Sequence, residues 1–425
     1  MNVTSLDQAL LESVVEGMPD DKLAAARRHA ATQFAAMGFP TVGQEDWKYT
    51  NLTDIVALSN AWLESATNET AKTSEAAENV VASITSAIEA TWIIVRDGIV
   101  DTEIPAPEGV AIERVSASGH ADIDGDDPLS VFNTALLRDG IRIVVTESAA
   151  PALPIGILLV DDPANALAQT RVVVEAGANA RLQLIEYSVS SAGGRQFTNA
   201  ITEFGLAPGS RIDHVRIQAR DDEHSGVNRI TASLAADAEF HHNSFDLGGL
   251  LTRNDVVTKL LGRGAAVSLN GLYLATGDRH IDNHTKICHE TGPTISNEEY
   301  RGILGGRSQC VFNGKVVVAE GADGTDSSQS NHNLLLSDRA EIDTKPELEI
   351  YADDVKCAHG ATVGQLDKAA LFYLQSRGLD PEAARQVLTR AFAAGTLAEL
   401  TIDACHDHLA ALLDSRLETL VGDVQ

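Results

Sequence analysis

The chain has no C-x-x-C pair, no H-E-x-x-H and no G-x-S-x-G. Those absences remove the zinc knuckle, the dithiol redox site, the zinc-protease helix and the serine-hydrolase elbow from consideration. Cysteine is scarce: Cys288, Cys310, Cys357 and Cys405 are scattered along 425 residues. Two disulfides would suit a secreted protein, but the start, MNVTSLDQALLESVVEGMPDD, shows neither a secretory leader nor an Arg-rich presequence. Free thiols and a cytoplasmic location are therefore expected. No apolar run approaches the roughly 18 residues that cross a bilayer. Basic residues are also few, 32 Lys and Arg against 61 Asp and Glu, and the net charge of −29 repels nucleic acid and anionic membranes. No local basic patch offsets it.

At this length two or three structural regions are expected. Residues 1–90 read as helical: Leu6, Leu10 and Val14 recur at four-residue steps, and DDKLAAARRHAATQFAAMG is rich in helix formers, with Asp20 or Asp21 placed to cap it after Pro19. The polar stretch 68–79 reads as a connection or an exposed helix. Residues 91–365 carry short β-type runs such as TWIIVRDGIV, IRIVVTE and IGILLVDD. Residues 366–425 turn helical again, with Asp380 as an N-cap and Pro381 at the first helical position.

Within the β region a small motif recurs at Gly177, Gly209, Asp237, Gly264, Arg307 and Arg339, with spacings of 32, 28, 27, 43 and 32 residues. A turn-type or polar residue is followed by Ala or Ser and then by an inward-type position, represented by Ala180, Ile212, Phe240, Val267, Cys310 and Ile342. A period near 30 built from strand-type units predicts a β-solenoid, each coil burying its face on the next. A β-sandwich is the alternative. In the solenoid Cys310 occupies an apolar slot and reads as a structural thiol.

Two clusters carry candidate chemistry. DRHIDNHTKICHE holds His280, His284, Cys288 and His289, but its β-branched residues favour a strand, on which His280, His284 and Cys288 lie about 13 Å apart in succession. One metal cannot be held by that set alone, so a polar ladder is expected, with a metal-dependent enzyme centred on His280, His284 and His289 as the rival. The second cluster, YADDVKCAHGATVG, places Cys357 and His359 on one face of a strand about 6.6 Å apart, at the end of what reads as buried β-structure. A thiolate beside an imidazole is a partial ligand set for iron, zinc or an iron–sulfur cluster. Two ligands complete no such site, so the others must come from distant coils or another chain. Simple burial of Cys357 stays open, and a nucleophilic pair lacks a third group to orient the imidazole. The Ser, Asn and Gln run TDSSQSNHNLLLS at 325–337 reads as turn residues or polar ladders.

Several stretches together resemble the SufD family of iron–sulfur cluster assembly proteins: QEDWKYTNL at 44–52, HIDNHTKICHE at 280–290, YRGIL and VFNGKVVV at 300–318, the long block 325–367 and LFYLQSRGL at 371–379. The most specific block is TKPELEIYADDVKCAHGAT. The resemblance covers nearly the whole chain and implies a right-handed parallel β-helix flanked by N- and C-terminal helical regions. It implies a non-catalytic scaffold subunit that works with a SufB-like β-helix protein, bound near Cys357 and His359, and with a SufC-like ABC ATPase, bound by the C-terminal helices. Cys357 would be a thiolate ligand, and His359 a neutral nitrogen ligand or a tuning group beside the thiolate, for a cluster held transiently in the complex. No tightly bound cofactor is expected in the isolated chain, flavin binding by the complex is left open, and the lone chain could pair with itself. A SufB-type subunit is the alternative within that system, although the early cysteine cluster often found there is missing.

Overall fold

A computed structural model of the chain describes residues 5–65, 74–100, 107–119, 127–162 and 166–422. Four helices come first: α1 (Gln8–Glu16), α2 (Ala24–Met37), α3 (Thr53–Ser65) and α4 (Glu75–Ala87). Asp7 caps α1 and Ser74 caps α4, each side chain accepting a backbone N–H of the first turn. Part of the polar stretch 68–79 lies outside the described residues, and the rest opens α4. Asp21 does not cap α2. Its carboxylate pairs with Arg27 at 2.8 Å, because that guanidinium is buried and needs a counter-charge as well as the Leu137 carbonyl it reaches at 2.7 Å.

From Thr91 to Gly364 the chain winds a parallel β-solenoid of about eight turns. Successive strands alternate between a ten-stranded and a nine-stranded sheet, so sheet neighbours are two strands apart in sequence. Antiparallel pairs occur at the start, where Thr91–Arg96 meets Ile99–Val100 and Val110–Arg114 meets Ile141–Val145. The interior is a column stack of buried side chains, and each outer face is covered as well. Strands buried on both faces are the usual condition for parallel sheets. The ten-stranded sheet packs Ile217, Leu272 and Ile303 against Leu409, Leu413 and Leu417 of the C-terminal helix. The nine-stranded sheet packs Leu167, Phe197 and Val227 against α1, α2, α3 and α6 (Pro128–Leu136), while the short α5 (Val115–Ser118) packs Val115 on Leu23 and Leu137.

Helix α6 has no counterpart in the sequence reading. Every residue from Leu129 to Leu136 is buried, and the polar set Ser130, Asn133 and Thr134, spaced i, i+3, i+4, is turned to partners inside the protein, with Asn133 donating to the Thr170 and Asn199 carbonyls. Its Phe132 stacks at 4.9 Å on Phe34 and Phe39, which joins it to the N-terminal helices.

The recurring sequence motif is a corner of the solenoid. Asn179, Gly209, Asp237 and Gly264 all have positive φ, and each precedes a fully buried small residue, Ala180, Ser210, Ala238 or Ala265. Glycine is required where coils touch: a Cβ on Gly264 would lie 2.1 Å from Asp237 Oδ1. The motif occurs in both sheets. Ile212, Phe240 and Val267 stack in the ten-stranded sheet, whereas Cys310 and Ile342 stack in the other. The long 43-residue spacing is therefore the step from one sheet to the other, about a turn and a half. Cys310 is buried in the interior, as its slot predicts.

The last coil differs from the rest. Its strands, Glu341–Ile350 and Val355–Gly364, are the terminal strands of the two sheets and are largely exposed. Three helices close the chain: α7 (Lys368–Ser376), α8 (Pro381–Ala398), capped by Asp380 with Pro381 in its first turn, and α9 (His406–Gly422).

Candidate functional site

Cys357 and His359 lie on the final strand, and strand alternation turns both toward the solenoid interior. Cys357 stands in a column with Val267, Ser296 and Ser327, and His359 in one with Leu269, Glu298 and Gln329. Because no coil follows, the interior face of this strand is open: Cys357 is half-buried against the core and His359 is exposed. The expectation of buried β-structure up to this point is corrected here, since the edge position removes the covering layer. Burial raises the Cys357 thiol above its ordinary value and the nearby Asp326 adds to the effect, so in the chain alone it is held as a thiol.

Behind the pair the interior is polar. The Ser296 and Ser327 hydroxyls are 2.8 Å apart, and Ser296 is 2.9 Å from His289 Nε2, whose Nδ1 is 2.7 Å from Thr294 Oγ1. Burial lowers His289 to about 4, so the ring is neutral, with one donor and one acceptor nitrogen. In the adjacent column Gln329 Nε2 donates to Glu298 Oε2 at 2.6 Å. Burial pushes the Glu298 carboxyl up to about 7, against the hydrogen bonds that favour its ionised form. These residues were missed as site components by sequence reading. The only signal was the Ser, Asn and Gln run at 325–337, whose alternate members Ser327, Gln329, Asn331 and Asn333 are buried inside the solenoid.

The other cluster is split by the same alternation. His280, His284 and Cys288 occupy the outer face of the His280–His289 strand, while His289 points inward to the serines just described. The three histidines therefore do not form one site. Among the described residues no group of three or more His, Cys, Asp and Glu side chains is arranged to hold a metal ion. On the outer face Thr50 Oγ1 is 2.9 Å from His280 Nε2 and also donates to the buried Asp282. Arg253 binds Asp282 at 2.6 Å, donates to the Asp46 carbonyl at 2.8 Å and lies 3.9 Å from the Trp47 ring centroid. His284 Nε2 is 2.9 Å from Asp282 Oδ1. Arg253 and the histidine contacts hold the Asp282 carboxyl far below the usual range. This network clamps the EDWKYT segment onto the solenoid, which gives His280 and His284 a structural task.

Comparisons with known proteins agree with this architecture. Residues 11–157 match the SufBD protein N-terminal region, and residues 159–392 match the SufBD core domain described for the SUF system of FeS cluster assembly. The chain is 30% identical over 396 residues to the iron-sulfur cluster assembly protein SufD of Escherichia coli, covering 91% of each. It is 29% identical over 437 residues to an iron-sulfur cluster assembly SufBD family protein of Synechocystis, covering 96% of this chain and 94% of that one. SufD of Bacillus subtilis is 23% identical over 299 residues, 68% of this chain and 67% of its own. With both halves of the chain matched, the protein belongs to the SufBD family of iron–sulfur cluster assembly proteins, as a homologue of SufD.

Proposed function

We propose that this protein is a non-catalytic, cytoplasmic scaffold subunit that contributes Cys357 and His359 to a nascent cluster site completed by a SufB-like partner. The observation that carries this reading is the position of the pair: two metal-binding side chains, side by side on the last strand, with no further described ligands around them. The cluster is cargo of this site. Cys357 supplies a thiolate, and because binding a metal displaces the thiol proton, loading improves as pH rises toward the raised value of that thiol.

The two edges of the last coil differ in a way that supports docking. Glu341–Ile350 is guarded by Glu341, Lys345, Glu347 and Glu349 and contains Pro346, features that discourage strand addition. Val355–Gly364 has a single lysine, Lys356, and the small residues Ala358, Gly360 and Ala361. Its free backbone groups suit pairing with a strand of the partner, or with a second copy when the partner is absent. An ATPase subunit would dock on the C-terminal helices, where Phe372 is 73% exposed and Tyr373 57% exposed on α7.

The test is reconstitution of the three-protein complex with Cys357→Ala or His359→Ala. Both variants are expected to keep the partners bound and to lose cluster assembly, read by the visible absorbance of the cluster. Normal assembly in both would remove the ligand role.

A further inference from the structure

The column that ends at His359 runs through Leu184, His214, His242, Leu269, Glu298 and Gln329, and its last two buried members are a hydrogen-bonded polar pair. Gln329 is buried one coil inward of His359, and parallel neighbours lie about 4.8 Å apart. The opposite sheet is cut back to admit its side chain: a Cβ on Gly314 would lie 2.1 Å from Gln329 Nε2. The amide end is engaged, since Nε2 donates to Glu298 Oε2 at 2.6 Å. The other end is not. Gln329 Oε1 is buried, and among the described residues no donor meets it. An unpaired buried carbonyl is costly, so its retention next to an exposed imidazole marks an acceptor waiting for a donor.

We propose that Gln329, oriented by Glu298, is a positioning residue for His359: its carboxamide oxygen accepts the N–H of the imidazole nitrogen that does not face the cluster. This rests on the reading of His359 as a ligand. Metal-binding imidazoles ordinarily donate their second N–H to a carbonyl or carboxylate, which fixes tautomer and ring orientation. Glu298 decides which end of the amide is free. With the N–H end committed to the carboxyl, the oxygen is the group left for His359.

The test compares Gln329→Met, which keeps the length and removes the acceptor, with Glu298→Gln, which keeps an acceptor for Gln329 Nε2. In the cluster-free full-length chain, bound to its partner, the His359 ring nitrogens are read by NMR, assigned with His359→Ala. One tautomer is expected in the wild type and in Glu298→Gln, and a mixture in Gln329→Met. Assembly from ferrous iron and sulfide is expected to slow about tenfold in Gln329→Met. Should the methionine variant fail to fold, Gln329→Asn, which keeps an amide but withdraws it by one methylene, takes its place. An unchanged ring and an unchanged rate overturn the proposal. Normal assembly in His359→Ala removes the ligand reading itself, whereas loss there with none in Gln329→Met removes only the positioning role.

Discussion

Follow the Cys357 column from one end of the solenoid toward the other. In the earlier coils it carries Leu182, Ile212, Phe240 and Val267, all buried and apolar, and in the last coils it carries Ser296, Ser327 and Cys357. The backbone, the register and the inward direction are the same throughout. A repeat architecture leaves each rung free to spend its interior on cohesion or on chemistry, because a column is added one residue at a time. The early rungs gain from burial at about 25 cal/mol per Å² of apolar surface. The late rungs gain only the net worth of hydrogen bonds, about 1 kcal/mol each, and lose the covering layer as well. In this column the apolar rungs come first and the polar ones last.

The sharpest way to break this comparison is a pair of substitutions in that one column. Ile212→Ala is expected to cost about 2–5 kcal/mol, since it opens a cavity in a packed interior. Ser327→Ala, one rung from the end and replacing a hydroxyl by hydrogen, is expected to cost no more than about 1.5 kcal/mol. Urea unfolding of both variants checks the contrast, and equal losses would show that the two ends are not differently built.

An intermediate effect concerns the buried carboxyl. The Glu298 value is raised from 4.5 to about 7, so between those limits the folded chain holds a proton that the unfolded chain releases. Stability contributed by that proton is complete below about 4.5 and is lost as pH rises through about 7, a difference on the order of 3 kcal/mol for a shift of this size. His289, lowered to about 4, acts in the opposite direction over part of the same window. The informative quantity is therefore the difference between wild type and Glu298→Gln. Unfolding at pH 5 and pH 8 is expected to show the wild type losing stability relative to the variant at the higher pH. Parallel behaviour would place the carboxyl in a wetter setting than its burial indicates.

The smallest effect on stability is expected at the exposed face of α7. Phe372→Ser with Tyr373→Ser removes little buried surface, so the unfolding free energy should change by less than about 0.5 kcal/mol per site. Retention of the ATPase in a pull-down should fall all the same. Unaltered retention would move that docking surface elsewhere on the C-terminal helices.

Much of the fold was legible in the residues. The corner motif returned near every 30 residues because successive corners pair a positive-φ residue, Asn179, Gly209, Asp237 or Gly264, with a small buried one, and only Gly, Asn or Asp meet the first demand cheaply. Cys310 was readable as an apolar slot for the same reason, and Asp380 with Pro381 announced α8. Helix α6 was not read, although Asp127 with Pro128 and the i, i+3, i+4 set Ser130, Asn133 and Thr134 signal it, because the segment is short and sits among β-type runs. Nor was the sharing of the motif between two sheets, which the 43-residue spacing recorded but could not explain.

The site divides along the same line. Spacing two residues apart in a strand was enough to put Cys357 and His359 on one face, because the period of a strand is intrinsic to its backbone. Which face, and what lies behind it, depends on pairing across 30 residues of chain, and no local property encodes that. Only the folded coil shows that His289 turns inward while His280 and His284 turn outward to hold Thr50 and Arg253, or that Gln329 stands beneath His359 with its oxygen unpaired. The linear chain determined the unit of the repeat and the residues that could bind metal. Tertiary stacking decided which of them stand at an open end, because exposure there is set by the absence of a next coil and not by any residue in the strand itself.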